Sequence, residues 1–119
     1  MIDHIELQTR QMDAAMRFYS DTLAPLGYRL KLDGPVKGFG AGATMDLFLI
    51  EGGPSSDVHF AFAADSCAIV DAGWNAARDG GHTLDRAPAL APHIHPDYYA
   101  GYVHDPDGRL VELVCQRSA

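Results

Sequence analysis

The stretch Val58-His59-Phe60-Ala61-Phe62 repeats, in its alternation and in the place of its histidine, the opening Ile2-Asp3-His4-Ile5-Glu6-Leu7-Gln8. Alternating apolar and polar residues mark a strand with one packed face. In the first stretch Ile5 and Leu7 take the packed face while His4, Glu6 and Gln8 take the other. In the second, Val58, Phe60 and Phe62 pack, and His59 stands where His4 stood. A helix follows each. Met12, Ala15, Met16, Tyr19 and Leu23 recur at the spacing of a buried stripe, stopped by Pro25 and Gly27. Ile69, Val70, Gly73, Trp74 and Ala77 repeat that stripe after an N-cap at Asp65 or Ser66, and stop at Gly80-Gly81. From His4 to Gly27 is 23 residues, and from His59 to Gly81 it is 22. Equal order and nearly equal spacing describe an internal duplication whose identity has faded.

Working outward, Tyr28 to Leu32, Val36 to Gly40 and Thr44 to Ile50 read as three short strands, so the first unit is β, α, β, β, β. A linker by composition, Gly52-Gly53-Pro54-Ser55-Ser56, precedes the second unit. There Gly81-His82-Thr83-Leu84 answers Gly27-Tyr28-Arg29-Leu30, and a proline-rich insertion spans 87–96. Tyr98 to His104 and Arg109 to Cys115 complete the sheet. Asp105-Pro106-Asp107-Gly108 between them has the Asp, Pro and Gly favoured in a tight turn. The expected fold is α+β: one domain over 1–119, made of two tandem βαβββ modules at about 1–52 and 57–119. If each strand packs its apolar face on a helix, the modules form a cupped mixed sheet with the helices on its outer face.

With 47% hydrophobic and 21% charged residues, the 119-residue chain can bury a core of ordinary size. A formal charge of -7 leaves no basic footprint for nucleic acid or an anionic membrane surface. No apolar run approaches the roughly 18 residues that span a bilayer. The opening residues have no signal-peptide pattern, and Cys67 and Cys115 lack C-x-x-C spacing. A soluble protein of the reducing cytoplasm is expected.

The face opposite the helices carries His4 and Glu6, then His59, then Leu110, Glu112 and Val114. Two imidazoles and a carboxylate on one concave face suit a divalent first-row metal with positions open to water and substrate. Such an ion acts as a Lewis acid on substrate oxygens. Taken singly, a histidine on a strand is more often a hydrogen-bonded surface residue than a ligand. Glu112, set among Leu110, Val111, Leu113 and Val114, needs a partner if buried, and the plain alternative is an arginine ion pair. The matching positions of His4 and His59 weigh toward metal. His82 and His104 are expected to face solvent beside turns, the cysteines to pack quietly, and Trp74 to lie in the core or a subunit interface.

Asp3-His4-Ile5, Phe18-Tyr19 through Leu26-Gly27, Val58-His59-Phe60 and Asp105-Pro106-Asp107-Gly108-Arg109-Leu110-Val111-Glu112 together resemble the vicinal oxygen chelate superfamily. That superfamily includes glyoxalase I, extradiol dioxygenases, fosfomycin-resistance proteins and bleomycin-binding proteins. The resemblance spans the whole chain and implies metal ligands at His4, His59 and Glu112. Glyoxalase I carries a further glutamate on its fourth strand, where this chain places Phe48, or Asp46 if the alignment slips by two residues. Phe48 counts against true glyoxalase I activity. Pro92 to Tyr99 resembles small bacterial members without a settled activity. There His93 and His95 are candidates for a base or donor at the cavity mouth, and Tyr98, Tyr99 or Tyr102 for orienting a substrate oxygen; a surface loop pinned by prolines is the bland reading.

The leading expectation is a metal-dependent enzyme of the glyoxalase and dioxygenase type, with one divalent ion per site (Fe, Mn, Zn, Ni or Co) and a small-molecule substrate. Its rival is a metal-free binding protein of the drug-sequestering kind, for which Phe48, Ala61, Ala63 and Val114 supply apolar wall. A regulatory or structural domain is the third class. Because the half-sheets leave edges to cover, a homodimer is expected, with His4 joining His59 and Glu112 either of its own chain or of the other.

Overall fold

A computed structural model describes residues 1–117. The first half runs β1 (Ile5–Thr9), α1 (Met12–Leu23), a 3-10 turn (Ala24–Leu26), β2 (Arg29–Asp33), β3 (Val36–Gly40) and β4 (Leu47–Glu51). The second runs β5 (His59–Ala63), α2 (Cys67–Asp79), β6 (Thr83–Leu84), β7 (Ala89–Leu90), β8 (Tyr99–His104) and β9 (Leu110–Cys115). One sheet has the order β1-β4-β3-β2 and the other β5-β9-β8-β6, with β7 also on β8. In both, the first strand is parallel to the last and the remaining pairs are antiparallel. The duplication therefore holds at the level of pairing. It is imperfect in one place: β6 and β7 share the position that β2 fills alone, so the proline-rich segment expected as a loop contributes part of the sheet.

Each helix covers one face of its own sheet, and the two helices pack on each other. Leu7, Leu47 and Leu49 meet Phe18, Tyr19 and Leu23, and the same core continues into Val70, Ala77, Val111 and Leu113 of the second half. A methyl group on Gly73 would stand 3.1 Å from the Thr22 carbonyl and 2.7 Å from Leu113. The missing side chain there is what lets α2 lie close to α1. Ser66 is the N-cap of α2, its hydroxyl accepting from the Ile69 N–H at 3.2 Å. The glycines that close the helical segments, Gly27 and Gly81, have φ of 90° and 78°, where a side chain would be strained. Val58, expected on the packing face, precedes β5 and is exposed. His82 is a second correction: its side chain is only 6% exposed and bonds Asp21 at 2.8 Å. The aspartate on α1 draws the ring inward against Phe18.

Arg109 ties the halves together. Its side chain is 2% exposed. Nε donates to the Ser55 carbonyl in the linker at 2.9 Å, Nη1 to Asp105 at 3.0 Å, and Nη2 to the Gln8 carbonyl on β1. Asp105 in turn accepts the Tyr19 hydroxyl of α1 at 2.6 Å and the Arg109 N–H at 2.9 Å. Burial and the neighbouring Asp105 push the Tyr19 phenol well above its ordinary range. Removing one partner of such a group leaves the other charge buried and unpaired. Arg109→Ala is expected to lower the unfolding free energy by about 3–5 kcal/mol, read from urea denaturation. A loss below about 1 kcal/mol, the worth of a surface pair, would show that the network is not structural.

Candidate functional site

In a parallel ladder, paired residues point to the same side of the sheet. The β5/β9 register sets His59 beside Leu110, Ala61 beside Glu112 and Ala63 beside Val114, and the β8/β9 register adds Tyr102 beside Glu112. These residues share the face turned away from α2. Glu112 is 4% exposed. Its partner is not an arginine. Oε1 lies 3.0 Å from His59 Nε2, and Oε2 accepts the Tyr98 hydroxyl. His59 Nδ1 lies 2.8 Å from the Leu110 carbonyl. A carbonyl oxygen only accepts, so Nδ1 carries a proton; with a proton on Nε2 as well the ring donates to both Leu110 and Glu112, and without it Nε2 is a free ligand atom. This is the arrangement by which a backbone acceptor orients a metal-binding imidazole. Tyr102 lies nearly parallel to the His59 ring at 6.3 Å.

His4 stands apart from that pair. It precedes β1, bonds Asp3 at 2.6 Å and meets Phe48 edge-on at 5.4 Å. With His59 it lines a cavity of about 470 Å³ between β1 and β5 that also touches Tyr28, Asp46, Phe60 and Ala61. Glu112 does not line it. Among the described residues no three His, Cys, Asp or Glu side chains of one chain come close enough to hold an ion. His59 and Glu112 are thus brought together, and His4 is not brought to them within the chain.

Residues 1–113 match the family described as the Glyoxalase/Bleomycin resistance protein/Dioxygenase superfamily. The chain belongs to this superfamily. A glyoxalase/bleomycin resistance protein from Albidiferax ferrireducens T118 superposes with a TM-score of 0.80 at 21% identity, over 98% of both chains. Lactoylglutathione lyase from Agrobacterium tumefaciens is 26% identical over 97% of this chain and 92% of that one, with a TM-score of 0.68. The fosfomycin resistance protein FosX from Mesorhizobium loti is 19% identical over 97% and 91%, with a TM-score of 0.70. No curated protein matches the sequence. No helix among the described residues is long and apolar enough to cross a membrane.

For a member of this superfamily the fourth strand is informative. β1 pairs Glu6 with Phe48 as β5 pairs Ala61 with Glu112. Phe48 therefore occupies in the first half the position that Glu112 occupies in the second. Glu6 is exposed on the same face. Asp46 lies two residues earlier, its Oδ2 accepting the Tyr28 hydroxyl at 2.9 Å. His93 and His95 are exposed in the 91–97 segment, where His95 Nδ1 accepts the Asp97 N–H at 3.2 Å. Tyr98 and Tyr102 stand at the Glu112 cluster.

Tyr99 does not. Alternation along β8 turns it to the helix side, where its hydroxyl donates to Asp71 of α2 at 2.6 Å. Nor does His104 face water freely: it is half-buried and bonded to Asp85 at 2.8 Å. The reading of the sequence missed Arg86, whose guanidinium lies 3.8 Å from the centre of the Tyr102 ring. No spacing signals that contact, because it depends on how β6 and β7 split. The bond to Asp71, and then burial, push the Tyr99 phenol up to about 12. Its folded value lies above the ordinary one of about 10, so the stability it contributes is whole below about pH 10 and is lost as pH rises through about 12. Tyr99→Phe is expected to reduce the fall in urea midpoint across that interval. An identical fall in both proteins would refute the coupling.

Proposed function

We propose that this superfamily member is a metal-dependent enzyme of the glyoxalase and dioxygenase type, in which His59 and Glu112 hold one divalent ion and His4 of a second copy of the chain completes the set. The observation that carries this reading is the His59–Glu112 pair. With Nδ1–H committed to Leu110, Nε2 faces Oε1 at 3.0 Å, and the proton shared between them is one that a divalent cation can replace. Displacing that proton leaves an imidazole nitrogen and a carboxylate oxygen side by side as ligand atoms. Two imidazole nitrogens and one carboxylate oxygen suit Fe, Mn, Zn, Ni or Co. When bound, the ion supplies a Lewis acid for negative charge building on two neighbouring oxygens of a small substrate.

The chain's own residues do the positioning. Leu110 fixes the ring of His59, and Tyr98 holds Oε2 of Glu112 so that Oε1 faces the imidazole. Ala61, paired with Glu112, is the small residue between the carboxylate and the cavity lined by His4 and His59. Tyr102 walls one side. Lyase, isomerase, transferase and dioxygenase reactions all use this placement of oxygens. The proton transfer of glyoxalase I is not included, because Phe48 has no proton to exchange. The case for a second copy is that within one chain His4 reaches no cluster with Glu112, the cavity it shares with His59 leaving the carboxylate out.

Metal analysis of the untagged protein is expected to find one ion per site, with stoichiometric binding lost in His59→Ala and in Glu112→Ala. Full occupancy in both variants would overturn the assignment. Mixing His4→Ala with Glu112→Ala protein is expected to restore one intact site per heterodimer, and in-chain sites would restore none. A metal-free chain that still binds small apolar molecules would favour the drug-sequestering reading, for which Phe48, Ala61 and Ala63 provide wall.

A further inference from the structure

Beside the His59–Glu112 pair, on the far side of Tyr102, lies a recess of about 210 Å³ lined by Arg86, Leu90, His93, Ile94 and Ala100. It is smaller than the roughly 300–1,000 Å³ of a site for a drug-sized ligand, so it takes a fragment of a few heavy atoms. Leu90 and Ile94 are 61% and 54% exposed side by side at its rim, where they offer the recess an apolar edge. Arg86 is held in place by the backbone. The Asp85 N–H donates to the Tyr102 carbonyl at 3.0 Å and the Tyr102 N–H to the Arg86 carbonyl at 2.9 Å. The guanidinium lies over the Tyr102 ring, and its Nε donates to Asp85 at 3.3 Å. Neither Nη has a hydrogen-bond partner among the described residues. Asp85 is itself shared with His104 at 2.8 Å, which draws part of its charge away from Arg86. In a chain of formal charge -7, a guanidinium stacked on an aromatic ring, with both Nη groups turned to no partner among the described residues and an apolar recess beside it, is a distinctive combination.

We infer that Arg86, laid over Tyr102, is the anchor for a carboxylate group of the substrate, whose short apolar arm enters the recess between Leu90 and Ile94. This rests on the proposed function for its location: the substrate's remaining oxygens would face Glu112, which neighbours Tyr102 across the β8/β9 pair. The substrate class is then a small organic acid with an aliphatic branch. A planar guanidinium pairs with a carboxylate through two parallel hydrogen bonds, which a lysine in that place would not do. Stacking on Tyr102 fixes the plane of the fork. The inference makes Arg86 a specificity determinant, while the His59–Glu112 pair holds the reacting end.

The test uses the full chain, stripped of metal with a chelator, titrated with butanoate, pentanoate and hexanoate and with the corresponding primary amides. Binding is read from the Arg86 Nε–Hε resonance and backbone amides. Acids are expected to bind about fivefold more tightly than amides, the worth of a partly exposed ion pair, and each added methylene to tighten binding about three- to fourfold. Arg86→Gln should erase the preference for acids and keep the dependence on chain length. The double variant Leu90→Ser, Ile94→Ser should do the reverse. All these side chains are exposed enough for the variants to fold, which circular dichroism verifies. Equal binding of acids and amides, or a preference that survives Arg86→Gln, would overturn the inference. Because the titration is done without metal, its failure leaves the metal assignment standing, and loss of the metal assignment leaves the titration result standing.

Discussion

Arg109 is a full positive charge taken out of water, and the fold is arranged so that its donors are met. Its partners are drawn from four places in the chain: the linker at Ser55, β1 at Gln8, the turn at Asp105, and through Asp105 the hydroxyl of Tyr19 on α1. A buried ion that reaches both halves of a duplicated chain resists any sliding of one module against the other, since each displaced donor would cost desolvation without return. Its effect on the site is direct. The Gly108 N–H returns to the Asp105 carbonyl at 3.0 Å and closes the turn, and Leu110 begins β9 one residue after Arg109. The anchor thereby sets the register that puts Leu110 beside His59 and Glu112 beside Ala61. A shift of one residue would turn Glu112 into the helix layer.

The parts of the molecule legible in the sequence are those written in local periodicity. Both helices, the glycines that end them, the equivalence of His4 and His59, and the Asp105–Gly108 turn follow from spacing and turn chemistry, and the structure has them where expected. Superfamily membership was legible through resemblance, carried by motifs at two strand starts, in the first helix and at that turn. Long-range pairing is what local pattern cannot carry. Val58 alternates correctly and still lies outside the strand, because β5 begins where β9 can pair with it. His82 follows a helix stop, which reads as surface, and is buried because Asp21, 61 residues away, faces it. Tyr99 and Tyr102 look alike in sequence, and an odd separation on one strand places them on opposite faces. For the site, His59 and Glu112 were legible as a pair; the absence of His4 from their cluster was not, because it depends on how two modules sit together.

Duplication alone would give two equivalent sites, one per half. Residue differences at matched positions remove that symmetry. Phe48 stands where Glu112 stands, so the first half contributes an imidazole and an aromatic wall while the second contributes an imidazole and an acid. The aromatic ring is placed against His4, at 5.4 Å edge-on, and the acid against His59. One half has thus become lining and the other the donor of negative charge. The two halves still meet within the chain at the cavity between β1 and β5, where His4 and His59 share one lining and Glu112 lies outside it.

The cluster around Glu112 also explains why this part of the sheet is polar at all. Val111, Leu113 and Cys115 fill the helix side of β9, and an apolar residue at 112 would pack more cheaply beside Ala61 and Val114 than a carboxylate does. The carboxylate is kept and surrounded: a tyrosine hydroxyl on one oxygen, an imidazole on the other, a backbone carbonyl behind the imidazole, and a second tyrosine beside it. Burial and Glu112 together raise the phenols of Tyr98 and Tyr102, so both stay protonated donors or neutral walls across ordinary pH. Arg86 on the outer side of Tyr102 then brings positive charge near this acid without pairing with it. That leaves a negative donor at the floor and, at the rim, a cation that meets Asp85 through Nε alone, an arrangement oriented toward a ligand that carries both oxygens and negative charge.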